Sequence, residues 1–408
     1  MTETDLSSAP FLTDPLVKKV LALLSSDGEE ARVVGGAVRN HLMGLPDWGD
    51  IDIATTALPE EVVRRAEAGG LKTAPTGIEH GTVTVIGHHR IAEVTTLRVD
   101  VETDGRRATV RFGRDWEADA ERRDFTMNAL SVDAHGRLHD TVGGLADIRA
   151  RRVRFIGSAD RRIAEDRLRV LRFFRFHAAY GEGAPDVVGL DAAIRARQTL
   201  GALSAERIGI EMRKLVVARR AADTIALMQE SGILPLVVAG VADLVAFRRF
   251  CLFFGGEGPP ALRFAVAFAR IAEDVERIAR RFRLSGKERD RMLTAIAAHQ
   301  VLQAGEGAGD RANLYRLGRE AFADGLAYGA ALGRIPGEVA LGRMKAVEGW
   351  TVPSFPLSGR DVVEQGVDRG PRVGVLLRNI ERWWIAEDFA PDADALRRRL
   401  QMMVAAQQ

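Results

Sequence analysis

Two patterns of apolar residues divide the chain. In the first third, short runs rich in β-branched residues alternate with glycines, which is typical of β-strands separated by turns. Segment 59–68 begins with a proline followed by two glutamates, and this order predicts a helix. Strands are predicted at 32–34, 51–53, 82–86, 91–94 and 109–112.

The pattern changes at about residue 160. Long stretches rich in Ala, Leu, Arg and Glu follow at helical spacing, and short breaks such as 255–260 separate them. The remainder of the chain is therefore predicted to be helical, and the predicted fold class is α+β: a mixed sheet with helices, followed by helices alone.

Length and composition limit the class of protein. The chain has 408 residues, which is more than one hydrophobic core usually serves, so two or more domains are expected. Its one cysteine, Cys251, excludes a disulfide framework and suits a reducing compartment. The longest apolar run, 232–242, is too short to span a bilayer, and the first residues do not resemble a signal peptide. We therefore expect a cytoplasmic protein without a membrane partner.

Charge is unevenly distributed along the chain. The formal net charge is +2, but residues 149–220 contain 16 Arg and one Lys against eight Asp or Glu, a net charge of +9. A solvated helix surface is one interpretation of this segment. A binding surface for a polyanion is the other, and it is favoured here.

A glycine pair marks the first candidate site. Gly35 and Gly36 follow the strand at 32–34, and Arg39 comes one turn into the helix that is predicted next. Glycine lets a phosphate approach the backbone closely, and the amides of a helix start attract anions. Gly36 and Arg39 are therefore candidate nucleotide-binding residues.

Carboxylates on the next strand indicate a metal site. Alternation places Asp50 and Asp52 on one face of the strand, and Ile51 and Ile53 on the other. Two carboxylates on one face suit a pair of Mg²⁺ ions, the first activating a hydroxyl and the second neutralising a triphosphate. Glu93, on the strand at 91–94, is the candidate for a third carboxylate.

The segment 121–130 supplies further candidates. Arg123 can bind a triphosphate with its guanidinium, and Asn128 can hold the sugar or the backbone. A salt-bridged helix start capped by Asp124 is compatible with the same residues.

Four polar residues recur every three positions in the most specific pattern. Asp166, Arg169, Arg172 and Arg175 would form a ridge of about 13 Å on one helix. A carboxylate only accepts hydrogen bonds and a guanidinium only donates them. Cytosine and adenine present an amino donor beside a ring-nitrogen acceptor, whereas uracil and guanine present the reverse order. The Asp166–Arg169 pair is therefore predicted to select C and A, and the alternative is an ion pair on an amphipathic helix.

These segments together resemble one known family. The stretches 35–39, 50–52, 122–130, 165–176 and 205–215 are similar to motifs of class II CCA-adding tRNA nucleotidyltransferases and bacterial poly(A) polymerases, which belong to the DNA polymerase β-like superfamily. The resemblance implies metal binding by Asp50 and Asp52 and base selection by Asp166 and Arg169. It also implies phosphate or sugar contacts from Gly36, Arg39, Arg123, Arg172 and Arg175, and structural support of the neck by Glu206, Arg207 and Glu211.

The resemblance further implies a domain order and a set of substrates. We expect a polymerase-β-like catalytic head at 1–150, a neck at 151–232, a body at 233–330 and a tRNA-binding tail at 331–408. Mg²⁺ is the expected cofactor, CTP and ATP the expected nucleotides, and the acceptor arm and 3′ end of tRNA the expected partner. Segment 98–107 resembles the family's flexible loop that CC-only enzymes lack, which favours retained A addition.

Two positions depart from the family pattern. Asn40 stands where the family usually has Asp, and Arg167 where it often has Pro. Neither change removes a predicted metal ligand or a base-selecting group. The alternatives to CCA addition are a poly(A) polymerase, an enzyme that adds A only, and an RNA-binding relative without catalysis.

Overall fold

The chain folds into two units that divide after Gly240. The computed structural model describes residues 5–74, 77–104, 107–256, 258–304 and 309–406. The predicted division into head, neck, body and tail is finer than these two units and stays a prediction. None of the helices within the described ranges combines the length and apolar character needed to cross a bilayer.

A mixed sheet of seven strands lies at the centre of the first unit, in the order β3-β4-β5-β2-β1-β8-β9. Strand β2 pairs in parallel with β5, and every other pairing in the sheet is antiparallel. A separate hairpin joins β6 to β7. The strands are β1 (Ala31–Val34), β2 (Ile51–Thr55), β3 (Lys72–Ala74), β4 (Thr82–Gly87), β5 (Arg90–Thr96), β6 (Arg98–Asp104), β7 (Arg107–Phe112), β8 (Ser131–Val132) and β9 (Leu138–His139).

The α+β class and all five predicted strands are confirmed. Four strands were not predicted: β3, β8 and β9 have two or three residues each, which is too short for a periodic signal, and β6 lies in the segment interpreted as a loop. That segment, 98–107, forms most of the β6–β7 hairpin, and its residues 105 and 106 lie outside the described residues.

Helices pack against the sheet and against one another to complete the first unit. Local capping explains several of their starts: Asp14 accepts hydrogen bonds from the amides of Leu16 and Val17, and Ser204 accepts one from Arg207. The helices are α1 (Pro10–Thr13), α2 (Pro15–Leu24), α3 (Gly36–Leu42), α4 (Pro59–Ala68), α5 (Trp116–Glu121), α6 (Gly144–Arg149), α7 (Ala159–Glu165), α8 (Leu168–Tyr180), α9 (Val187–Ala196), α10 (Ala205–Val216), α11 (Ala221–Glu230) and α12 (Leu234–Val238).

Aromatic packing fixes α8 against the end of the sheet domain. Phe125 lies 4.9 Å from Phe155 and 5.0 Å from Phe176 between ring centroids, and Phe155 stacks on Phe173 at 5.5 Å. Phe125 and Phe155 also form an antiparallel backbone bridge. Since buried aromatic side chains bring large apolar areas together, this cluster holds α8 in place beside the strands.

The second unit is helical throughout its described part. One core includes Leu314, Phe322 and Leu326, and another, near the chain end, includes Ile380 and Trp384. Its helices are α13 (Leu244–Phe254), α14 (Pro260–Phe268), α15 (Ala272–Arg281), α16 (Gly286–Ala304), α17 (Asp310–Leu317), α18 (Arg319–Ala331), α19 (Gly337–Ala346), α20 (Gly359–Val363), α21 (Pro371–Ala386) and α22 (Ala393–Ala405).

Truncating the aromatic cluster tests its contribution to stability. Phe173 is fully buried, so Phe173→Ala should lower the free energy of unfolding by about 3–5 kcal/mol through lost burial and a residual cavity. Denaturant unfolding followed by circular dichroism measures the change. Val188→Ala is the control, because Val188 is an exposed side chain on α9. It should change the free energy of unfolding by less than about 0.5 kcal/mol. Equal midpoints for Phe173→Ala and the wild type would contradict the assignment.

Candidate active site

Two carboxylates lie side by side on neighbouring strands of the sheet, and a third lies just before one of these strands. Asp52 on β2 pairs in register with Val34 of β1 on one side and Glu93 of β5 on the other. Ile51 and Ile53 are buried, Asp52 is half-buried, and Asp50, just before the strand, is exposed. The predicted alternation is therefore confirmed for residues 51–53, whereas Asp50 lies outside the strand, so its place on the same face stays a prediction. Strand pairing brings Glu93 next to Asp52.

Asp52 is in an unfavourable environment for its negative charge. Burial raises its pKa, the neighbouring Glu93 and Asp50 raise it further, and Arg123 opposes them, so the pKa reaches about 6. A bound cation would remove this repulsion, and carboxylate oxygens are the ligands that Mg²⁺ prefers. Within the described ranges no three or more His, Cys, Asp or Glu side chains are grouped closely enough to hold a metal ion. Glu93 as a third ligand stays a prediction.

The turn between β1 and α3 brings backbone close to Asp52. Gly35 has φ +68°, a conformation that side chains disfavour, and it forms the N-cap of α3. A Cβ on Gly35 would lie 3.8 Å from Asp52 Oδ2 and 3.7 Å from an Arg123 guanidinium nitrogen. Gly35 therefore borders the carboxylate predicted to bind metal, and Gly36 faces Arg39.

Arg39 is buried, and all its hydrogen-bond partners in the described part of the chain are neutral. Its guanidinium donates to Asn128 Oδ1 at 2.6 Å, to the Tyr180 hydroxyl at 2.8 Å and to Asn40 Oδ1. It also lies 4.1 Å above the Tyr180 ring. Arg39 and Asn128, which are both predicted to contact the nucleotide, are therefore hydrogen-bonded to each other.

Asp124 links Asn128 to the arginines of α8. It accepts hydrogen bonds from Asn128 Nδ2 at 3.0 Å and from Arg172 Nε at 2.7 Å. Burial raises the pKa of Asp124, but Arg172 and the hydrogen bonds outweigh burial and lower it overall. Glu211 of α10 then pairs with Arg175 at 2.5 Å. Arg172 and Arg175 are therefore fixed in place by buried carboxylates.

Asp119 fixes the arginines of the preceding segment. Its carboxylate pairs with Arg122 at 2.7 Å and with Arg123 at 3.0 Å, and Arg123 also donates to the carbonyl of Asn128. Asp119 was not among the residues predicted for the site. Its spacing of three and four residues before the two arginines on a helix was the available signal.

The predicted ridge of four residues on one helix is wrong for Asp166. This residue has extended backbone angles between α7 and α8, because its Oδ1 accepts a hydrogen bond from the amide of Leu168. Of the four residues in the predicted ridge, Arg169, Arg172 and Arg175 lie on α8 and Asp166 does not. The helix break leaves Asp166 beside the start of α8.

The two predicted base-selecting side chains, Asp166 and Arg169, are held by hydrogen bonds to different residues. Asp166 Oδ2 accepts from Arg207 of α10 at 2.8 Å. Arg169 donates to Glu165 at 2.6 Å and to the carbonyls of Arg162 and Arg122. Arg207, predicted as a neck support, therefore also contacts the candidate base-selecting group.

One cavity of about 540 Å³ brings the predicted residues together. Every predicted site residue except Asp50 and Glu93 lines it, and seven arginines against three aspartates give it a positive lining. Such a lining suits an anionic ligand of nucleotide size. The full lining is Gly35, Gly36, Arg39, Asp52, Arg122, Arg123, Asp124, Asn128, Asp166, Leu168, Arg169, Arg172, Arg175, Phe176 and Arg207.

The chain is similar to known proteins over most of its length. Residues 31–154 match the family model described as the Poly A polymerase head domain. The chain is 32% identical to the mitochondrial CCA tRNA nucleotidyltransferase 1 of Mus musculus, covering 93% of this chain and 88% of the mouse protein. It is 34% identical to the Danio rerio protein of the same name, covering 95% and 90%.

A solved structure is also similar over nearly its whole length. The CCA-adding enzyme of Bacillus stearothermophilus in complex with CTP superposes with a TM-score of 0.75 at 28% identity, covering 97% of this chain and 99% of that one. Sequence identity and fold therefore agree across both units of the chain. This protein belongs to the family of CCA tRNA nucleotidyltransferases, the CCA-adding enzymes.

Proposed function

We propose that this protein adds C, C and A to the 3′ end of tRNA from CTP and ATP, without a nucleic-acid template. The observation that carries the proposal is the cavity of about 540 Å³ in which Asp52 lies together with Asp166 and the three arginines of α8. One nucleotide in this cavity is thereby within reach of a metal-binding group, of base-selecting groups and of phosphate-binding groups.

The catalytic part of the proposal rests on Asp50 and Asp52. Mg²⁺ bound by these carboxylates would activate the attacking hydroxyl of the RNA and neutralise the triphosphate. The oxygen ligands and the mutual repulsion at Asp52 fit such an ion. Arg172 and Arg175 bind the phosphates in this proposal, and Arg123 holds them from the side of Asp52.

Base selection in the proposal depends on the capacity of Asp166 and Arg169 for further hydrogen bonds. A carboxylate offers about four lone-pair positions, and Asp166 accepts from the Leu168 amide and from Arg207. Asp166 is therefore held in place and still has lone pairs that can accept hydrogen bonds from a base. A fixed acceptor beside a fixed donor matches the amino group and ring nitrogen of C and A.

Two related activities share the same cavity. A poly(A) polymerase would use the metal site and the phosphate-binding arginines in the same way, and an enzyme that adds only A would use the same base-selecting pair. Identity of 32% and 34% to proteins named CCA tRNA nucleotidyltransferase, over more than 90% of this chain, favours CCA addition over both.

The cytoplasmic location is part of the proposal as well. It is supported by a composition with one cysteine, which suits a reducing compartment. The two animal relatives carry names that place them in mitochondria.

Incorporation assays test the proposed activity directly. Purified protein with Mg²⁺ is given each labelled nucleotide, singly and together, with tRNA transcripts that end before CCA, before the final A, or complete. We expect ordered addition of C, C and A followed by termination. Long adenylate tails would instead favour a poly(A) polymerase, and no extension with CTP would favour an enzyme that adds only A.

Removing either metal-binding carboxylate should abolish nucleotide addition while leaving RNA affinity unchanged. For Asp50→Ala and Asp52→Ala we expect kcat to fall by roughly 10³-fold or more, because several kcal/mol of charge stabilisation are lost. Single-turnover extension measures the rate, and fluorescence anisotropy measures tRNA binding. Glu60→Ala, an exposed position on α4, is the control. A large loss of tRNA affinity in the Asp variants would contradict the metal assignment.

A change at Asp166 should relax base choice. Asp166→Asn keeps the size of the side chain and adds an amide donor, so UTP should gain on CTP in kcat/KM by about 10- to 100-fold. Asp160→Asn, the same change at an exposed ion pair with Arg195, is the matched control and should leave selectivity unchanged. Unaltered selectivity in a folded Asp166→Asn protein would show that another group selects the base.

A further inference from the structure

Asn40 uses both halves of its side-chain amide. Its Oδ1 accepts from Arg39 Nε at 3.1 Å and from the terminal Arg39 nitrogen at 2.8 Å. Its Nδ2 donates to the backbone carbonyl of Asp47 at 3.0 Å. Asn40 therefore joins the end of α3 to the segment that follows it.

That segment leads directly to Asp50. Asp47 Oδ1 accepts from the amide of Gly49 at 2.8 Å, and Gly49 has φ +77°, so the chain turns tightly just before Asp50. Trp48, within the same turn, lies 4.6 Å from the Arg90 guanidinium. The hydrogen bond from Asn40 thus holds the turn from which Asp50 emerges.

The Oδ1 atom of Asn40, which accepts from Arg39, links the residue to the predicted nucleotide-binding side chains of the cavity. Arg39 donates to Asn128, Asn128 donates to Asp124, and Asp124 accepts from Arg172 on α8. Asn40 is therefore the first member of a continuous chain of hydrogen bonds that ends at a phosphate-binding candidate. One side chain contacts both the carboxylate segment and this network.

We propose that Asn40 is a positioning residue that sets Asp50 in place relative to Asp52 and to the arginines of the cavity. The inference rests on the proposed function, because it concerns the ion that Asp50 and Asp52 would hold. An amide is required for both contacts, since a carboxylate accepts from Arg39 but has no donor for the Asp47 carbonyl. Loss of that donor releases the turn before Asp50 and weakens metal binding.

Two substitutions separate the two contacts. Asn40→Asp keeps the acceptor for Arg39 and removes the donor to Asp47, whereas Asn40→Leu removes both and keeps the number of side-chain heavy atoms. For Asn40→Asp we expect the Mn²⁺ dissociation constant, measured with CTP present by electron paramagnetic resonance of the free ion, to rise about 3- to 10-fold, the factor of one lost hydrogen bond. The KM for CTP at saturating Mg²⁺ should change by less than about 2-fold, because the Arg39 contact remains. Asn40→Leu should raise both quantities.

A structural measurement accompanies the binding assay. Amide hydrogen exchange of peptides covering 43–51 should be faster in both variants, since the turn loses its anchor. Glu60→Gln, which changes the charge of the same unit by one at an exposed position, should alter neither exchange there nor Mn²⁺ affinity. Thermal unfolding confirms that each variant is folded, and Asn40→Asp remains informative where Asn40→Leu does not fold.

The outcomes are distinct from those that test the proposed function. Wild-type Mn²⁺ affinity and unchanged exchange over 43–51 in Asn40→Asp would overturn the positioning role. An active Asp50→Ala protein would instead overturn the metal assignment itself, whatever Asn40 does.

Discussion

A buried network of arginines and carboxylates supports the cavity. It runs from Arg39 through Asn128 and Asp124 to Arg172, and Glu211 continues it to Arg175. Burying a charge is costly unless a partner compensates it, and removing one partner of a buried pair typically costs about 3–5 kcal/mol. Arg172 and Arg175 of α8 are therefore held where a ligand would meet them.

The network also explains how elements far apart in sequence act together. Asp124 lies just before a short 3₁₀ turn, Arg172 lies on α8, and Glu211 lies on α10. The aromatic cluster around Phe125 places α8 beside that turn, so packing brings the charged groups within hydrogen-bonding distance. Apolar packing thus determines the distance between the strands that carry the carboxylates and the helix that carries the arginines.

In the cavity, several side chains predicted to contact the nucleotide are paired with oppositely charged neighbours. Asp119 holds Arg122 and Arg123, Glu165 holds Arg169, and Arg207 holds Asp166. Fixed donors and acceptors need no reorganisation when a ligand arrives, and such preorganisation is what selective recognition and charge stabilisation require. Asn40 extends the same principle to the backbone, because it anchors the turn before Asp50.

The sequence by itself determined the local features of this protein. Alternation correctly predicted that Asp52 lies opposite buried Ile51 and Ile53. Helix spacing correctly predicted that Arg169, Arg172 and Arg175 share a helix. Only the tertiary structure decided that Glu93 is the neighbour of Asp52, because parallel pairing of β2 with β5 joins residues about 40 positions apart. It also placed Asp166 outside α8, since its bond to the Leu168 amide outcompetes helical continuation. Periodicity reports which face a residue occupies, whereas pairing between distant segments depends on packing energies that no local pattern contains.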